Sequence, residues 1–325
     1  MARLRRTGGQ APATEDAALR IRAAWLYYNQ GLTQKEVSDR LGVSRGTVIR
    51  VLAEAVERGD VQIWINAAET TGVDLGVRLE AAFGLDEAVV VPVADGDATK
   101  AVGLALGQFL SEAVAPGMTI GVGWGRTLTA SLPALRPARH ENTRVVSLLG
   151  GIVEARTGNP LEFSWRLASQ LGADCYLMVA PAIVDSPAPK RRLIEKCGLD
   201  RLFDIAAALD LAVVSVGDIS LASTSLAAAM IAPEELRELV GLGAVADVLS
   251  NFIAADGTSV AHDLNRRVMS IDLETIAGAG HVLIASGGAH RAEAIRAAIR
   301  RIGCNTLITD EGAARALLAL AEAEG

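Results

Sequence analysis

The stretch from Gly31 to Arg58 constrains the fold more than any other part of this chain. Its apolar residues repeat every four positions on two short segments, at Val37 and Leu41 and then at Val48, Leu52 and Val56. A spacing of four predicts helices. Only Gly42-Val43 separates the two segments, which leaves room for a tight turn and no loop. The pattern therefore predicts a helix-turn-helix, a motif whose second helix lies in the DNA major groove.

Polar residues mark where both helices of this motif begin. Thr33 and Glu36 have the spacing of a capping box, in which each side chain bonds the backbone of the other residue. Ser44 is a natural N-cap for the second helix. The same hydroxyls, with Gln34 and the N–H groups of the helix starts, suit phosphate oxygens.

The second helix also carries a chemically distinct face, and its residues could read base edges. Arginine can bind guanine through two hydrogen bonds, and an apolar side chain such as Ile49 can contact a thymine methyl. Gly46 removes bulk near the helix start, so that the backbone can approach the duplex. The alternative is an ordinary helical hairpin with a solvated, charged face. The predicted DNA-binding residues are Thr33, Gln34, Ser44, Arg45, Gly46, Thr47 and Arg50.

Residues around this motif complete a predicted N-terminal domain over 1–66. Leu19, Ala23 and Leu26 repeat at helical spacing and predict a supporting helix from about Asp16 to Asn29. The run Val61–Ile65 predicts a strand that forms a small wing, as in a winged-helix-like domain, or pairs with the rest of the chain. Residues 67–72 are typical of a linker before a helix at about 73–83. Residues 1–15 are expected to be disordered, with a basic arm touching DNA as the alternative.

Charge is segregated along the chain in a way that fits DNA binding at one end. The net charge is −7 over 325 residues. Residues 1–66 hold ten Lys and Arg and seven Asp and Glu, a net of +3, so the remainder carries −10. Lys and Arg near phosphates release counterions, and we therefore expect DNA binding to weaken with salt.

Other classes of protein are excluded by what the sequence lacks. The three cysteines lie far apart without a CxxC or Cys/His cluster, so neither a metal site nor a disulfide framework is expected, and no cofactor is predicted. Apolar runs fall short of the roughly 18 residues that span a membrane. The N-terminus has no apolar segment of the kind that signal peptides need. A cytoplasmic protein is expected.

Beyond residue 66, short apolar runs alternate with longer amphipathic stretches. The predicted strands are 88–91, 118–122, 145–149, 176–179, 211–216, 282–285 and 306–309. The amphipathic stretches include 98–114, 160–171, 233–241 and 290–302. Such alternation predicts a Rossmann-like, mostly parallel α/β domain over 67–325. Ligands of parallel sheets bind beyond the carboxyl ends of the strands, so the loops there are the candidate sites.

Two glycine-rich loops follow predicted strands and precede predicted helices. The first, Gly123–Thr127, offers a helix start, an arginine and a hydroxyl to an anion. The second, Gly287–Arg291, adds His290 beside a second arginine. For each, the alternative is a turn that needs glycine only for its geometry. Asn159, Asp218 and Asp247 are single polar residues at predicted loop positions, and each alone is more often structural.

Several motifs occur in a fixed order along the chain. After the helix-turn-helix come GVGWGRTL from Gly121, GD at 217–218, GAVADVLSNFIAADG from Gly243, LNRRV from Leu264, GGAHRAEAIRAAI from Gly287 and LITDEGAARALL from Leu307. Over about residues 18–322 this series resembles the SorC group of sugar-responsive bacterial transcriptional regulators. The resemblance implies a large domain similar to sugar-phosphate isomerases and deaminases that acts as an effector sensor.

The resemblance also implies a site and an assembly. The Gly123–Thr127 loop would hold the phosphate or terminal hydroxyl of a sugar, polyol or sugar phosphate, and the chain would form a homodimer or homotetramer on operator DNA. Family members often have lysine where this chain has Arg291, and arginine does not readily form a Schiff base. The expected effector-binding residues are Gly123, Trp124, Gly125, Arg126, Thr127, Asn159, Asp218, Asp247, Gly287, Gly288, His290 and Arg291.

Two other functions compete with a ligand-controlled transcription factor. One is an enzyme acting on a sugar phosphate, for which Asp218, Asp247, Asp310 or Glu311 would have to act as acid or base. The other is a constitutive architectural DNA-binding protein. No motif assigns a catalytic role, and a DNA-binding domain on the same chain favours sensing over turnover.

Overall fold

A computed structural model describes residues 15–58, 60–61, 67–93, 97–153, 159–220 and 231–323. The chain divides into two compact units, Met1–Ala68 and Glu69–Gly325, which we call the head and the body. The segment 1–14 and all but the first residue of the strand predicted at Val61–Ile65 lie outside the described residues.

The head is built from helices around one small apolar core. Helix α1 spans Glu15–Ala24, α2 spans Gln34–Leu41 and α3 spans Arg45–Glu57. Helix α1 continues into a π-helical turn at Trp25–Asn29, so the predicted supporting helix is present with a widened last turn. The buried apolar residues of the core are Ala23, Ala24, Leu26, Val37, Val48, Val51, Leu52 and Ala55.

Both motif helices begin at the predicted caps. Thr33 accepts a hydrogen bond from the Glu36 N–H at 3.3 Å, and the Glu36 carboxylate accepts from the Thr33 N–H at 2.8 Å. Ser44 accepts from the Thr47 N–H at 3.1 Å. Helix α2 ends at Gly42, whose φ of 65° is left-handed and favours glycine. Because these bonds are local, the motif can be recognised without tertiary information.

The body is organised around a seven-stranded parallel sheet, which confirms the predicted α/β class. In chain order the strands are β1 Glu87–Val91, β2 Thr119–Val122, β3 Arg144–Ser147, β4 Asp174–Tyr176, β5 Leu211–Val214, β6 Val216–Asp218, β7 Ala244–Val248, β8 Asn251–Ala254, β9 Val282–Ala285 and β10 Thr306–Asp310. The seven-stranded sheet has the spatial order β1-β10-β9-β5-β2-β3-β4, and each predicted apolar run overlaps one of these strands.

Helices cover both faces of this sheet. In chain order the described helices of the body, on this sheet or elsewhere, are α4 Ala67–Phe83, α5 Ala98–Ala113, α6 Arg126–Thr129, α7 Pro160–Leu171, α8 Pro187–Lys196, α9 Asp200–Ala206, α10 Pro233–Gly241, α11 Asp263–Arg267, α12 Leu273–Ala277, α13 Ala292–Ile302 and α14 Glu311–Glu322. Successive strand residues point to opposite faces, so neighbours such as Leu307 and Ile308 belong to separate apolar cores.

Helix α4 corrects the predicted linker at residues 67–72, because it already begins at Ala67. The helix lies against the edge strand β1. A Cβ atom at Gly72 or Gly76 would come within 2.5 Å of the Val90 or Ala88 carbonyl oxygen, so glycine is required for this close approach. The Glu80 carboxylate accepts a hydrogen bond from the Ala88 N–H at 2.9 Å. Helix α4 thereby bonds an N–H of this edge strand.

A second, antiparallel sheet was not predicted from the sequence. It has the order β6-β7-β8. A two-residue turn joins β7 to β8 through Leu249 and Ser250, which have φ values of 53° and 60°. Asp247 therefore lies on strand β7, and its predicted position in a loop is wrong. Asp218 likewise ends strand β6.

The described part of the chain shows neither a membrane span nor a cluster of metal ligands. No helix there is both long enough and apolar enough to cross a membrane. The same residues contain no group of three His, Cys, Asp or Glu side chains that could hold a metal ion.

Candidate functional site

Helix α3 of the head has one buried and one exposed face, as its periodicity predicts. Val48, Val51, Leu52 and Ala55 pack in the head core. The exposed residues of the opposite face are Arg45, Gly46, Ile49, Arg50 and Ala53. Ile49 is 48% exposed, which leaves a large apolar side chain beside two arginines. A mixed surface of this kind can contact both guanine edges and thymine methyl groups.

Both arginines of this face have weak partners within the head. The Arg45 Nε donates to the Gln34 Oε1 at 3.5 Å. The Arg50 Nη1 lies 3.3 Å from the Glu54 carboxylate, which also pairs with Arg58 at 2.8 Å. Exposed pairs of this kind contribute only about 0–1 kcal/mol, so they leave the arginines able to exchange these partners for DNA.

The hydroxyls predicted to contact phosphates have structural roles as well. Thr33 and Ser44 cap helices α2 and α3, and the Ser44 Oγ lies 2.9 Å from the Thr47 Oγ1. A hydroxyl that accepts from the backbone can still donate its own proton. Phosphate contacts by these three residues therefore remain predictions, to be separated from the capping role by experiment.

In the body, an open cavity of about 440 Å³ lies beyond the carboxyl ends of β2 and β5. That volume includes solvent at the open mouth, and the enclosed part is about 60 Å³. The residues lining it are Thr99, Trp124, Gly125, Arg126, Thr127, Ser215, Val216, Gly217, Asp247 and Arg291. Its position is the one at which parallel sheets bind ligands.

The cavity brings together half of the predicted effector residues. Those lining it are Trp124, Gly125, Arg126, Thr127, Asp247 and Arg291. Gly123 is buried and does not line the cavity. Its N–H donates to the Val213 carbonyl at 2.9 Å. A Cβ atom at position 123 would come within 2.8 Å of the Leu249 side chain, so glycine is needed there for packing.

The loop after β2 differs from the prediction in one respect. The helix that follows it, α6, is a single turn from Arg126 to Thr129. So short a helix has little dipole to offer an anion, and the site must rely on side chains instead. Helix α5 crosses this turn at Gly103, where a Cβ atom would come within 2.7 Å of the Thr127 carbonyl oxygen. The glycine thus lets α5 support the turn at close range.

Arg291 is held on the cavity wall by two fixed partners. Its Nε lies 3.4 Å from the Asp218 Oδ1, and both side chains are almost completely buried. Its Nη1 donates to the Gly287 carbonyl at 3.0 Å. The guanidinium is therefore oriented before any ligand arrives. Asp218 is not one of the lining residues, and it orients Arg291.

Asp247 also lines the cavity and is only 9% exposed. Its Oδ1 accepts a hydrogen bond from the Ser250 N–H at 3.3 Å, across the turn between β7 and β8. Burial raises the pKa of Asp247 to about 7, and the charge of Asp218 adds to the rise. The Ser250 N–H and the Arg291 charge oppose it.

The remaining predicted residues lie away from the cavity wall. The Asn159 side chain caps helix α7 by accepting from the Leu161 N–H at 3.1 Å, and it donates to the Ile152 carbonyl at 2.8 Å. His290 is exposed, outside the lining residues. The Gly288 N–H donates to the Asp310 carboxylate. The structure thus gives Asn159 and Gly288 bonds that serve the fold.

Sequence reasoning missed four lining residues, Thr99, Ser215, Val216 and Gly217. Ser215 directly follows strand β5, so the rule that located the glycine loops could have found it. Thr99 is the second residue of helix α5, and only the crossing of α5 over the α6 turn brings it to the cavity. That crossing leaves no local signal in the sequence.

Two family models match the chain. Residues 69–319 match the family described as "Putative sugar-binding domain". Residues 14–64 match the homeodomain-like domain family, which covers the helix-turn-helix.

Relatives match over nearly the full length. The erythritol catabolism regulatory protein EryD of Brucella abortus is 31% identical, over 94% of this chain and 98% of the relative. The transcriptional regulator LsrR of Klebsiella pneumoniae is 31% identical, over 97% of each chain. Among solved structures, the full-length sorbitol operon regulator SorC from Klebsiella pneumoniae has the same fold, with a TM-score of 0.69 at 24% identity over 94% of this chain and 100% of that one.

Proposed function

The chain belongs to the SorC family of sugar-binding transcriptional regulators, and from that membership we propose how its two parts divide the work. Residues 1–66 bind operator DNA. Residues 67–325 bind a small effector that changes the affinity of residues 1–66 for the operator. The observation that carries the proposal is the cavity in which Trp124, Thr127, Asp247 and Arg291 meet beyond the parallel strands.

On the DNA side, helix α3 enters the major groove. Arg45, Arg50 and Ile49 contact base edges because they form its exposed face. Gly46 lets the backbone approach the duplex. Thr33, Gln34, Ser44 and Thr47 contact phosphates at the two helix starts.

On the effector side, the cavity binds a sugar, a polyol or a phosphate of either. Arg126, Thr127 and the preceding glycine loop hold the terminal hydroxyl or phosphate. Arg291 and Asp247 bind hydroxyl groups, and Trp124 offers an apolar surface to the ligand carbons. Erythritol is the first compound to test, because a relative is named as a regulator of erythritol catabolism.

Assembly follows from the DNA-binding mode. Helix-turn-helix proteins read paired half-sites as dimers, so we expect this chain to form a homodimer or homotetramer through residues 67–325. The relative orientation of two DNA-binding domains is then the property that an effector changes.

A sugar-phosphate enzyme is the second candidate, and one observation favours it. A carboxyl group with a pKa near 7 on the wall of a cavity is what a general acid or base requires, and Asp247 has both properties. The named relatives are transcriptional regulators, which favours sensing. We therefore propose that Asp247 binds ligand without transferring protons to or from its carbon atoms.

The test uses the full chain and a fluorescent operator fragment at fixed salt. Erythritol, sorbitol and their phosphate esters are added in turn, and operator affinity and melting temperature are recorded together. A true effector should change operator affinity and stabilise the protein, by about 2.7 kcal/mol at 100 times its dissociation constant. Chromatography of the same mixtures shows whether the compound is converted. Conversion at a useful rate, without an effect on operator binding, would favour the enzyme.

A further inference from the structure

One carboxylate of the effector cavity, that of Asp247, forms no ion pair among the described residues. Within the described part of the chain, no Lys, Arg or His lies within ion-pair distance of Asp247. Arg291 shares the cavity but pairs with Asp218 and with the Gly287 carbonyl. The carboxylate therefore faces the ligand space with a single backbone N–H, that of Ser250, as its partner.

The protonation state of Asp247 changes the attraction of the cavity for an anion. Asp247 shares the cavity wall with Arg291, and their charges interact. An ionised Asp247 therefore repels an anion bound at Arg291, and protonation of Asp247 raises the charge of the wall by one unit. An anion binds more tightly in the protonated state, because Coulomb interactions are strong in a partly buried site.

The pKa of Asp247 lies near physiological pH, and the groups packed around Asp247 influence it. Asp218 on β6 and Arg291 before α13 are the charges that act on it, in opposite directions. Helix α13 also packs on β7, and its Arg296 lies 3.9 Å from Glu293. Helix α10 packs there too, with two carboxylates that already have side-chain partners: Glu235 pairs with Arg267, and Glu238 lies 3.2 Å from His262. Burial remains the main influence on the pKa of Asp247.

Building on the effector site proposed above, we propose that the cavity binds a dianionic group, such as the phosphate of a sugar or polyol phosphate, together with one proton that Asp247 takes from solution. The carboxylate becomes a neutral carboxylic acid, and no bond of the ligand is broken. The acid can then donate a hydrogen bond to the ligand. A neutral polyol binds without the extra proton. Phosphorylated and unphosphorylated effectors are therefore distinguished by the pH dependence of their affinities.

Sulfate is the probe that tests this, because its charge is constant over the range in which phosphate esters titrate, near a pKa of about 6. The full chain is titrated calorimetrically with sodium sulfate at about pH 6 and about pH 8.5, with chloride keeping the ionic strength constant. The cavity contribution is the part of the binding lost in Arg291→Gln. Thr127→Val, which keeps the side-chain volume, is the second cavity variant if Arg291→Gln does not fold.

The wild-type dissociation constant for sulfate should rise at least about tenfold between these pH values, since affinity linked to one proton changes up to tenfold per pH unit. Buffers with different heats of ionisation should report about one proton taken up at the higher pH. In Asp247→Asn the dissociation constant should not depend on pH. In Asp218→Asn the midpoint should move to lower pH, because a negative neighbour of Asp247 is lost. His290→Gln is the matched control and should keep the wild-type pH dependence.

Three results would overturn the proposal. They are equal sulfate affinity at both pH values, an unchanged pH dependence in Asp247→Asn, and sulfate binding that neither cavity variant reduces. These results are distinct from failure of the regulator assignment. If a polyol changes operator affinity while sulfate affinity does not depend on pH, the assignment as a regulator is supported and the proton linkage is wrong. If sulfate binding takes up a proton but no sugar, polyol or phosphate ester affects operator affinity, the linkage stands and the assigned function is wrong.

Discussion

The Arg291 guanidinium and the Asp218 carboxylate form an ion pair over 3.4 Å, with side chains only 10% and 14% exposed. Removing one member of such a pair leaves the other charge buried without this partner, which costs up to roughly 3–5 kcal/mol. We expect Arg291→Ala and Asp218→Ala each to lower the free energy of unfolding by about this amount. The double variant should lose much less than the sum, because neither charge remains. Urea denaturation of the four proteins measures the coupling, and strict additivity would contradict the pairing.

Asp247 predicts an unusual dependence of stability on pH. Its pKa is near 7 in the folded chain, above the usual value of 3.8, so the folded state holds the proton more tightly than the unfolded state. The free energy of unfolding should therefore fall as pH rises from about 4 to about 7. Asp247→Asn removes this effect. At pH 8 it should be more stable than wild type by at most roughly 4 kcal/mol, at 1.36 kcal/mol per pKa unit, and near pH 4 the two should be equal. Equal stability at pH 8 would show that Asp247 is not buried as a charge.

Gly103 predicts that helix α5 controls the effector loop. An alanine Cβ at this position would meet the Ala130 Cβ at 2.5 Å and the Thr127 carbonyl at 2.7 Å. Gly103→Ala should therefore displace the α6 turn, weaken effector binding and cost roughly 1–3 kcal/mol of stability through overpacking. Gly241→Ala is the matched control, since no atom lies within 4 Å of its Cβ position. The control should leave effector affinity unchanged, and an effect of equal size in both would exclude the α5 contact as the cause.

Local signals made most of the fold predictable. The capping box at Thr33 and the N-cap at Ser44 lie within a few residues of what they bond, so the sequence alone contains them. The buried strands of the parallel sheet are also visible in the sequence, because strands buried on both faces are short runs of Val, Ile and Leu. The start of helix α4 was predicted too late in the chain, because Thr70, Thr71 and Gly72 are typical of a linker. In the structure, Gly72 lies in α4 and allows the helix to approach β1 closely.

The second sheet had no such signal. A two-residue hairpin turn with positive φ usually contains Asn or Gly, and here Leu249 and Ser250 adopt those angles. Non-glycine residues in this conformation cost about 1–3 kcal/mol each and persist only where the surroundings require them. Here Leu249 packs against Gly123 and the Ser250 N–H bonds Asp247. The strained turn therefore positions Asp247. Because this turn contains no Asn or Gly, the sequence does not indicate a hairpin here, and Asp247 was predicted to lie in a loop.

On the DNA side, Arg45 and Arg50 predict measurable losses of operator affinity. Each lies on the exposed face of α3, and an arginine that reads a base contributes about 1–3 kcal/mol. Arg45→Ala and Arg50→Ala should weaken operator binding by that amount in fluorescence anisotropy at fixed salt, and should discriminate less between operator and altered bases. Arg58→Ala, beyond the end of α3, is the control and should bind nearly as well as wild type. A double variant Arg45→Ala/Arg50→Ala with full affinity would place the recognition surface elsewhere.

Ser44 allows the capping role to be separated from the phosphate contact. Its hydroxyl accepts from the Thr47 N–H, so Ser44→Ala should lose about 1 kcal/mol of stability whether or not DNA is touched. Aspartate is an equally good N-cap, and its charge is favourable at a helix start. Ser44→Asp should therefore keep the urea midpoint of wild type but repel a nearby phosphate, so its operator affinity should fall at least about tenfold, or 1.4 kcal/mol. If Ser44→Asp binds the operator as tightly as wild type, the hydroxyl caps α3 and makes no contact with a DNA phosphate.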